Sequence, residues 1–269
     1  MNEVNMTERN PLIVIPSQVD ENGIPKKQLL DIQGKPMIVQ SWNRAVEAGC
    51  GNVIVDCVDD EIAEVVGEAG AYTYRTDPDL HLKTHNYRTE SGADRVAAMV
   101  NKFDRFYCHD IIINLHDDLP AIDPKYIRAL LYPLADYEVA IATLVCPLSV
   151  EDENNDSVVK ASVEWEENRN VSWIAASKIG RIKNLSRNVK ELGDGPYYYH
   201  IPIYAYQRPQ LDHFVSLEPT DSELNERIEG KRALENGMRM DVALIDQKPL
   251  DVDWEEDVEQ ARKLLDKSL

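Results

Sequence analysis

Short apolar runs separated by helical segments limit the folds that are open to this chain. Pro11–Pro16 and Ile111–Leu115 are almost continuously apolar, and a polar turn or loop follows each of them. A strand without apolar–polar alternation has both faces buried, which is typical of a parallel sheet covered by helices. Residues 35–51 and 91–102 carry helical patterns between strand-like runs, and Ser91 is the expected N-cap of the second helix. We therefore predict an α/β fold with a mostly parallel central sheet and helices on both faces.

The rest of the chain is consistent with one domain that carries a local elaboration. No repeat, low-complexity tract or linker is visible, so we interpret residues 1–269 as a single domain. From Ser149 to Gly195 the apolar pattern loosens and charge increases, which indicates a small, partly antiparallel elaboration over 149–195. The tyrosine-rich segment 197–206 is predicted to be a strand. Glu218–Asn236 is predicted to be one charged helix, and the spacing of three residues between Glu226, Glu229 and Arg232 puts them on one side of it.

The charge of the chain excludes several classes of partner. Its 48 acidic and 29 basic residues give a formal net charge of -19 at pH 7. A surface this acidic repels nucleic-acid phosphates and anionic lipids, so we expect neither nucleic acid nor a membrane as a partner. No apolar run approaches the ~18 residues of a membrane-spanning helix, and residues 1–10 lack the apolar core of a signal peptide. We expect a cytoplasmic protein.

Polar segments that follow the buried strands are candidates for a ligand site, because open α/β sheets bind ligands at the carboxyl ends of their strands. Neither GxGxxG nor GxxxxGK[ST] occurs, so a nucleotide would need another kind of loop. Asp117 and Asp118 directly follow Ile111–Leu115 and are hard oxygen ligands of the kind that Mg²⁺ prefers. An acidic turn that ends the strand is the alternative. Asp253 precedes a predicted helix and is equally explained as an N-cap.

Segments along nearly the whole chain resemble, in the same order, those of the 3-deoxy-manno-octulosonate cytidylyltransferases, or CMP-Kdo synthetases. The matching segments are Pro11–Met37, Ser91–Arg95, Asn114–Pro120, Ala142–Leu144, Val158–Lys160, His200–Tyr206, Glu223–Leu234 and Val252–Asp257. The resemblance implies a fold like that of the nucleotide-diphospho-sugar transferases. It also implies a homodimer, with 149–195 and the tyrosine-rich strand at the interface.

The activity that the resemblance implies is the transfer of CMP to an acidic sugar, for the synthesis of lipopolysaccharide or capsule. The anomeric hydroxyl of 3-deoxy-manno-octulosonate (Kdo) would attack the α-phosphorus of CTP, and pyrophosphate would leave. Mg²⁺ would be the cofactor, because transfer of this kind relies on positioning and on neutralisation of phosphate charge.

The same resemblance assigns roles to individual residues. Asp118 and Asp253 match the two metal-binding aspartates of the family, and Lys27 matches the lysine that contacts the triphosphate; these three form the predicted catalytic set. The predicted nucleotide-binding residues are Ser17, Lys26, Lys27, Ser91 and Asp117. The predicted residues of the acidic-sugar pocket are Lys178, His200, Glu226 and Glu229.

The nucleotide loop departs from the pattern of the family. Gln18 and Gly23 stand where the family has two arginines, and Lys26 restores one positive charge without the fork of a guanidinium. The family's QGDEP motif has become His116-Asp117-Asp118-Leu119-Pro120, so its Gly and Glu are replaced.

Three explanations of these departures stay open. In the first explanation, the segment 75–90, which is longer than in the family, folds over the site, and Lys83 or Arg88 supplies the missing cations. Alternatively, the acceptor is another acidic sugar, such as amino-Kdo, a sialic-type acid or another nonulosonic acid. In the third explanation the chain is a catalytically weakened or non-enzymatic homologue.

Overall fold

The computed structural model describes residues 9–19, 24–76, 91–167 and 178–266. The strands are β1 (Pro11–Ser17), β2 (Asp31–Ile32), β3 (Lys35–Pro36), β4 (Asn52–Cys57), β5 (Tyr72–Arg75), β6 (Ile111–Asn114), β7 (Ile141–Pro147), β8 (Lys160–Trp165), β9 (Ile179–Ser186), β10 (Tyr197–Gln207) and β11 (Met240–Leu244). The α-helices are α1 (Met37–Ala48), α2 (Asp60–Glu68), α3 (Gly92–Phe103), α4 (Pro124–Ala129), α5 (Val150–Glu153), α6 (Arg208–Ser216), α7 (Asp221–Glu226), α8 (Gly230–Glu235) and α9 (Glu255–Asp266). Short 3₁₀ turns cover Lys27–Leu29, Pro133–Ala135 and Val189–Glu191. None of the helices in these described ranges has the length and apolar character of a membrane span.

A nine-stranded sheet with the order β5-β4-β1-β6-β10-β7-β11-β9-β8 runs through the described residues. β5, β4, β1 and β6 are parallel neighbours, as are β7 and β11, whereas β10 lies antiparallel between β6 and β7. β8 is antiparallel to β9 and also pairs with the start of β10, which closes β10, β7, β11, β9 and β8 into a ring. The predicted α/β fold is confirmed. The strands of the elaboration are part of the main sheet.

Alternate residues of the central strands face two separate apolar cores, because successive side chains of a strand point to opposite faces. Ile13 and Ile113 belong to one core, which includes residues of α1, α2 and α4. Leu12, Val14 and Ile112 belong to the other core, which includes residues of α3 and α6. Helices thus cover both faces of the sheet, and this explains why these strands have no alternation of apolar and polar positions.

A third, smaller apolar cluster joins the C-terminal helix to the region of β2 and β3. Ile32 and Met37 pack there with Val252 and Val258, and all four side chains are buried. The N–H of Val252 also donates to the main-chain carbonyl of Asp118 at 3.0 Å. The segment before α9 is thereby fixed beside the turn that follows β6.

The predicted single helix over Glu218–Asn236 is wrong. The structure has two short helices instead, because Arg227 takes a left-handed backbone conformation (φ 55°) that ends α7 before α8 begins. Glu226, Glu229 and Arg232 therefore do not lie on one continuous helical face, although their spacing of three residues suggested it. Glu226 contacts Ser186 of β9, whereas Glu229 and Arg232 both contact the first turn of α3.

Gly51 lies where the start of β4 approaches the start of β1. A Cβ atom at this position would lie 2.3 Å from the carbonyl oxygen of Pro11, so Gly51→Ala would force the two strands apart. We expect this substitution to lower the free energy of unfolding by about 1–3 kcal/mol. Urea denaturation measures the change.

Gly67→Ala is the matched control. Gly67 is exposed on α2, and apart from its chain neighbours and the backbone of its own helix, no described atom lies within 4 Å of the added methyl group. We expect this variant to gain up to about 1 kcal/mol, because alanine favours a helix over the unfolded chain more than glycine does. Equal changes in the two variants would contradict the close approach at Gly51.

Candidate functional site

Segments that are far apart in the sequence meet at the carboxyl end of the parallel strands. Ser17 is the last residue of β1, Asp117 and Asp118 follow β6, and Asp253 lies just before α9. Lys27 reaches this edge from the 3₁₀ turn between β1 and β2. The strand ends bring these residues together because β1 and β6 are adjacent and parallel. This edge is where open α/β sheets bind their ligands.

The ammonium group of Lys27 bridges two aspartates. Its Nζ lies 3.1 Å from Asp118 Oδ2 and 3.2 Å from Asp253 Oδ1, and it donates to the carbonyl oxygen of Val252 at 3.1 Å. Burial acts to lower the pKa of Lys27, but the charges and hydrogen bonds of Asp118 and Asp253 outweigh burial and raise this pKa. The alternative interpretation was that Asp253 is an N-cap, but its carboxylate pairs with Lys27.

Asp117 fixes the turn that presents Asp118. Its Oδ2 accepts a hydrogen bond of 2.6 Å from the hydroxyl of Ser17, and its main-chain oxygen accepts one of 2.7 Å from the hydroxyl of Ser41 on α1. Burial, with the negative charge of Asp118, raises the pKa of Asp117 to about 6. The two neighbouring aspartates therefore differ in their surroundings: Asp117 faces the end of β1 and Asp118 faces Lys27.

The other two residues that were predicted to bind a nucleotide have local partners. Lys26 has a left-handed backbone conformation (φ 52°), and its exposed ammonium group pairs with Glu61 on α2. Ser91 is the N-cap of α3, as its position in the sequence suggests, and it forms a capping box with Asp94. The structure thus brings Ser17, Lys27 and Asp117 into one cluster, while Lys26 turns toward α2.

Glu226 and Glu229, both predicted to line the sugar pocket, face different elements. Glu229 accepts hydrogen bonds from the N–H of Ala93 at 3.3 Å and from the hydroxyl of Tyr206 at 3.1 Å, and burial raises its pKa. Glu226 pairs with Lys231 and accepts a hydrogen bond from the hydroxyl of Ser186 on β9. Burial acts to raise the pKa of Glu226, but these partners outweigh it and lower this pKa. Glu229 is therefore the one that borders the start of α3.

His200 is buried in β10 and Lys178 is exposed just before β9. The Nε2 atom of His200 lies 3.2 Å from the hydroxyl of Thr143 on β7, and its Nδ1 atom has no hydrogen-bond partner among the described residues. Burial lowers the pKa of His200 to about 3, so its ring is neutral at physiological pH. The carbonyl oxygen of Lys178 accepts a hydrogen bond from the N–H of Leu244 at 2.9 Å.

Oxygen atoms surround the position of the Lys27 ammonium group, and their chemistry suits a divalent cation. Two carboxylates and the carbonyl of Val252 lie within 3.2 Å of the Nζ atom. Mg²⁺ typically binds one or two carboxylates and completes its shell with water and phosphate oxygens, so Asp118 and Asp253 fit this ion. In the part of the chain that the structure describes, no group of three or more His, Cys, Asp or Glu side chains is arranged to hold a metal.

A further cation lies beside the end of β1, and sequence reasoning gave it no role. A guanidinium nitrogen of Arg95, one turn into α3, donates to the carbonyl oxygen of Ser17 at 3.3 Å. The sequence could have indicated Arg95, because its i, i+4 spacing from the N-cap Ser91 puts both residues on one side of the helix. Gly23, Lys83 and Arg88 lie outside the described residues.

Comparisons with known proteins find relatives that match nearly the whole chain. A family model described as cytidylyltransferase matches residues 12–240. A relative from Rhodospirillum rubrum, named 3-deoxy-manno-octulosonate cytidylyltransferase, is 44% identical over 257 residues, which are 95% of this chain and 95% of the relative. A relative of the same name from Paramagnetospirillum magneticum is 42% identical over 261 residues, with 97% of this chain and 99% of the relative covered.

Solved structures of cytidylyltransferases are similar to this chain in fold. The structure of CMP:2-keto-3-deoxy-manno-octonic acid synthetase complexed with CTP has a TM-score of 0.79 and 28% identity, and the match covers 97% of this chain and 100% of that chain. The structure of 4-diphosphocytidyl-2C-methyl-D-erythritol synthase has a TM-score of 0.59 and 14% identity, with 96% and 99% covered. The second protein shares the fold with this chain.

The neutral state of buried His200 predicts a pH dependence of stability. Its pKa of about 3 in the folded protein, against 6.5 for an exposed histidine, means that only the unfolded chain takes up this proton between those values. The contribution of this neutral ring to the free energy of unfolding is fully present above pH 6.5. It is lost as the pH falls toward 3, by at most about 1.4 kcal/mol per pH unit. We expect the free energy of unfolding of His200→Gln to fall less steeply than that of the wild type between about pH 7 and 5.

Urea titrations at several pH values measure both slopes. Asp117 titrates in the same range in both proteins, so its contribution cancels in the comparison. Parallel curves for the wild type and His200→Gln would contradict the neutral, buried state of this ring.

Proposed function

This chain belongs to the 3-deoxy-manno-octulosonate cytidylyltransferase family, and from that membership we propose that it transfers CMP from CTP to the anomeric hydroxyl of Kdo and releases pyrophosphate. The observation that carries the proposal is the meeting of Lys27, Asp118 and Asp253 at the carboxyl end of the parallel strands. A pair of carboxylates next to a fixed cation suits a substrate that carries a triphosphate and a metal.

The three residues have complementary roles in this proposal. Asp118 and Asp253 would hold Mg²⁺, which when bound supplies positive charge that offsets the charge of the phosphate oxygens. Lys27 adds a point charge at the same place and stabilises the negative charge that builds up on the leaving pyrophosphate. Ser17 and Asp117 keep the turn after β6 in place through their hydrogen bond, so Asp118 keeps its direction.

The sugar side of the proposed site lies next to the first turn of α3. Glu229 is half-buried there and accepts one hydrogen bond from Tyr206 and one from the start of α3. Each of its two carboxylate oxygens keeps a second lone pair, which could accept a hydrogen bond from a sugar hydroxyl. His200 is neutral and its Nδ1 atom has no described partner, which suits a hydrogen bond to an uncharged group. We assign Glu226 and Lys178 to the same pocket on the resemblance to the family.

The cellular setting and the assembly form part of the proposal. A reaction that consumes CTP takes place where nucleoside triphosphates are made, so we propose a cytoplasmic enzyme. We also propose a homodimer in which the antiparallel strands β8 and β9 and the first residues of β10 form the interface. Sedimentation velocity at several protein concentrations measures the assembly.

Removing either aspartate of the cluster tests the proposed chemistry. We expect Asp118→Asn and Asp253→Asn each to lower the rate of pyrophosphate release from CTP, with Kdo and Mg²⁺ present, by at least about 100-fold. The amide keeps the size of the side chain but removes the charge that holds a metal. Asp251→Asn is the matched control, because Asp251 is two residues from Asp253 and pairs with Lys248. Wild-type rates in Asp118→Asn would contradict the assignment.

The same assay separates the proposal from its alternatives. Turnover with Kdo supports the proposed acceptor. Turnover with amino-Kdo or a sialic-type acid, but not with Kdo, would select another acidic sugar, and the loss of both family arginines at Gln18 and Gly23 is the reason to include these acceptors. Failure to bind CTP in isothermal titration calorimetry, with and without Mg²⁺, would identify a non-enzymatic homologue.

A further inference from the structure

Arg232 of α8 is buried and holds two carboxylates at once. It is 1% exposed, and its guanidinium group lies over the ring of Phe214. Nε and one terminal nitrogen donate to the carboxylate of Glu223 at 2.9 and 2.8 Å. The two terminal nitrogens donate to the two carboxylate oxygens of Asp94, each at 3.1 Å. Arg232 thus makes a fork to each of two acidic residues from different helices.

Both carboxylates that Arg232 holds are also helix caps. Asp94 is the third residue of α3 and forms a capping box with Ser91; Glu223 is the third residue of α7 and forms a capping box with Thr220. Asp94 accepts hydrogen bonds from the N–H of Ser91 at 2.8 Å and from its hydroxyl at 2.9 Å. Arg232 therefore ties the beginnings of two helices together through the residues that cap them.

The first turn of α3 lies against the proposed nucleotide site. A Cβ atom on Gly92 would be 3.0 Å from Asn114 at the end of β6, and the N–H of Ala93 donates to Glu229. Arg95, in the same turn, contacts the carbonyl oxygen of Ser17 at the end of β1. A shift of this turn would therefore move Ser91 relative to the ends of both strands.

We propose that Arg232 is a positioning residue for CTP: by clamping Asp94 to Glu223 it fixes the first turn of α3, and with it Ser91, beside the ends of β1 and β6. The inference rests on the proposed function, because it concerns the nucleotide of that reaction. Arg232 acts through Asp94, since its own side chain is buried beneath the turn. Lysine does not replace it, because a single ammonium group lacks the two parallel donors that each carboxylate receives here.

Asp94 needs this partner because other acidic groups surround it. Glu223 shares the same guanidinium, and Glu229 lies close enough for the negative charge of Asp94 to act on it. Without Arg232, these carboxylates would repel one another at the start of α3. Ser91 would then lose the fixed carboxylate that its N–H and hydroxyl bind.

Arg232→Lys, compared with Arg239→Lys, tests the inference. Arg239 is the matched control, because it also contacts several carboxylates, Asp241 and Glu166 among them. It directly precedes β11 and therefore lies at the amino end of that strand, whereas the proposed site lies at the carboxyl ends of β1 and β6. We expect both variants to unfold at lower urea concentration than the wild type. Only Arg232→Lys should raise the KM for CTP, by about 10-fold or more, with a smaller change in kcat.

A second variant shows whether Arg232 acts through Asp94. Asp94→Asn keeps the size of the side chain and weakens the same contact, so it should also raise the KM for CTP, and Arg232→Lys in that background should add little. Asp94→Asn carries the test alone if Arg232→Lys does not fold. Independent, additive effects on the KM for CTP would overturn the inference, as would an equal KM in Arg232→Lys and Arg239→Lys. A wild-type protein that neither binds nor turns over CTP would contradict the proposed function instead.

Discussion

One ammonium group held between two carboxylates determines how the candidate site is built. Lys27 draws together the turn after β6, which carries Asp118, and the segment before α9, which carries Asp253. The chain has a net charge of -19, so two carboxylates facing each other at one edge of the sheet would repel without a cation between them. The apolar cluster around Val252 brings the C-terminal segment to this place, and Lys27 sets the direction of its aspartate.

The same arrangement recurs elsewhere in this acidic protein. With 48 acidic and 29 basic residues, a basic side chain often serves more than one carboxylate. Arg232 holds Asp94 and Glu223 at the start of two helices, and Arg239 holds acidic residues from several loops and strands. Arginine suits this task because its planar fork binds carboxylates through paired hydrogen bonds and keeps its charge when buried.

Sequence patterns failed where the backbone departs from a regular element. The segment Glu218–Asn236 has the composition of one charged helix, yet the left-handed conformation of Arg227 divides it into α7 and α8. This change sends Glu226 toward β9 and Glu229 toward α3, which helical spacing could not indicate. Lys26 is a second case, since its own left-handed conformation turns it toward Glu61 and away from Lys27.

The sequence by itself determined the α/β class, the buried strands that deliver Ser17 and Asp118 to one edge, and the N-cap at Ser91. These features follow from local patterns, because strand burial, helix periodicity and capping depend on neighbouring residues. Only the tertiary structure decided that Lys27 lies between Asp118 and Asp253, that Arg232 clamps Asp94 to Glu223, and that β8 closes onto β10. These contacts join residues far apart in the chain, and their partners are selected by packing and charge in the folded protein.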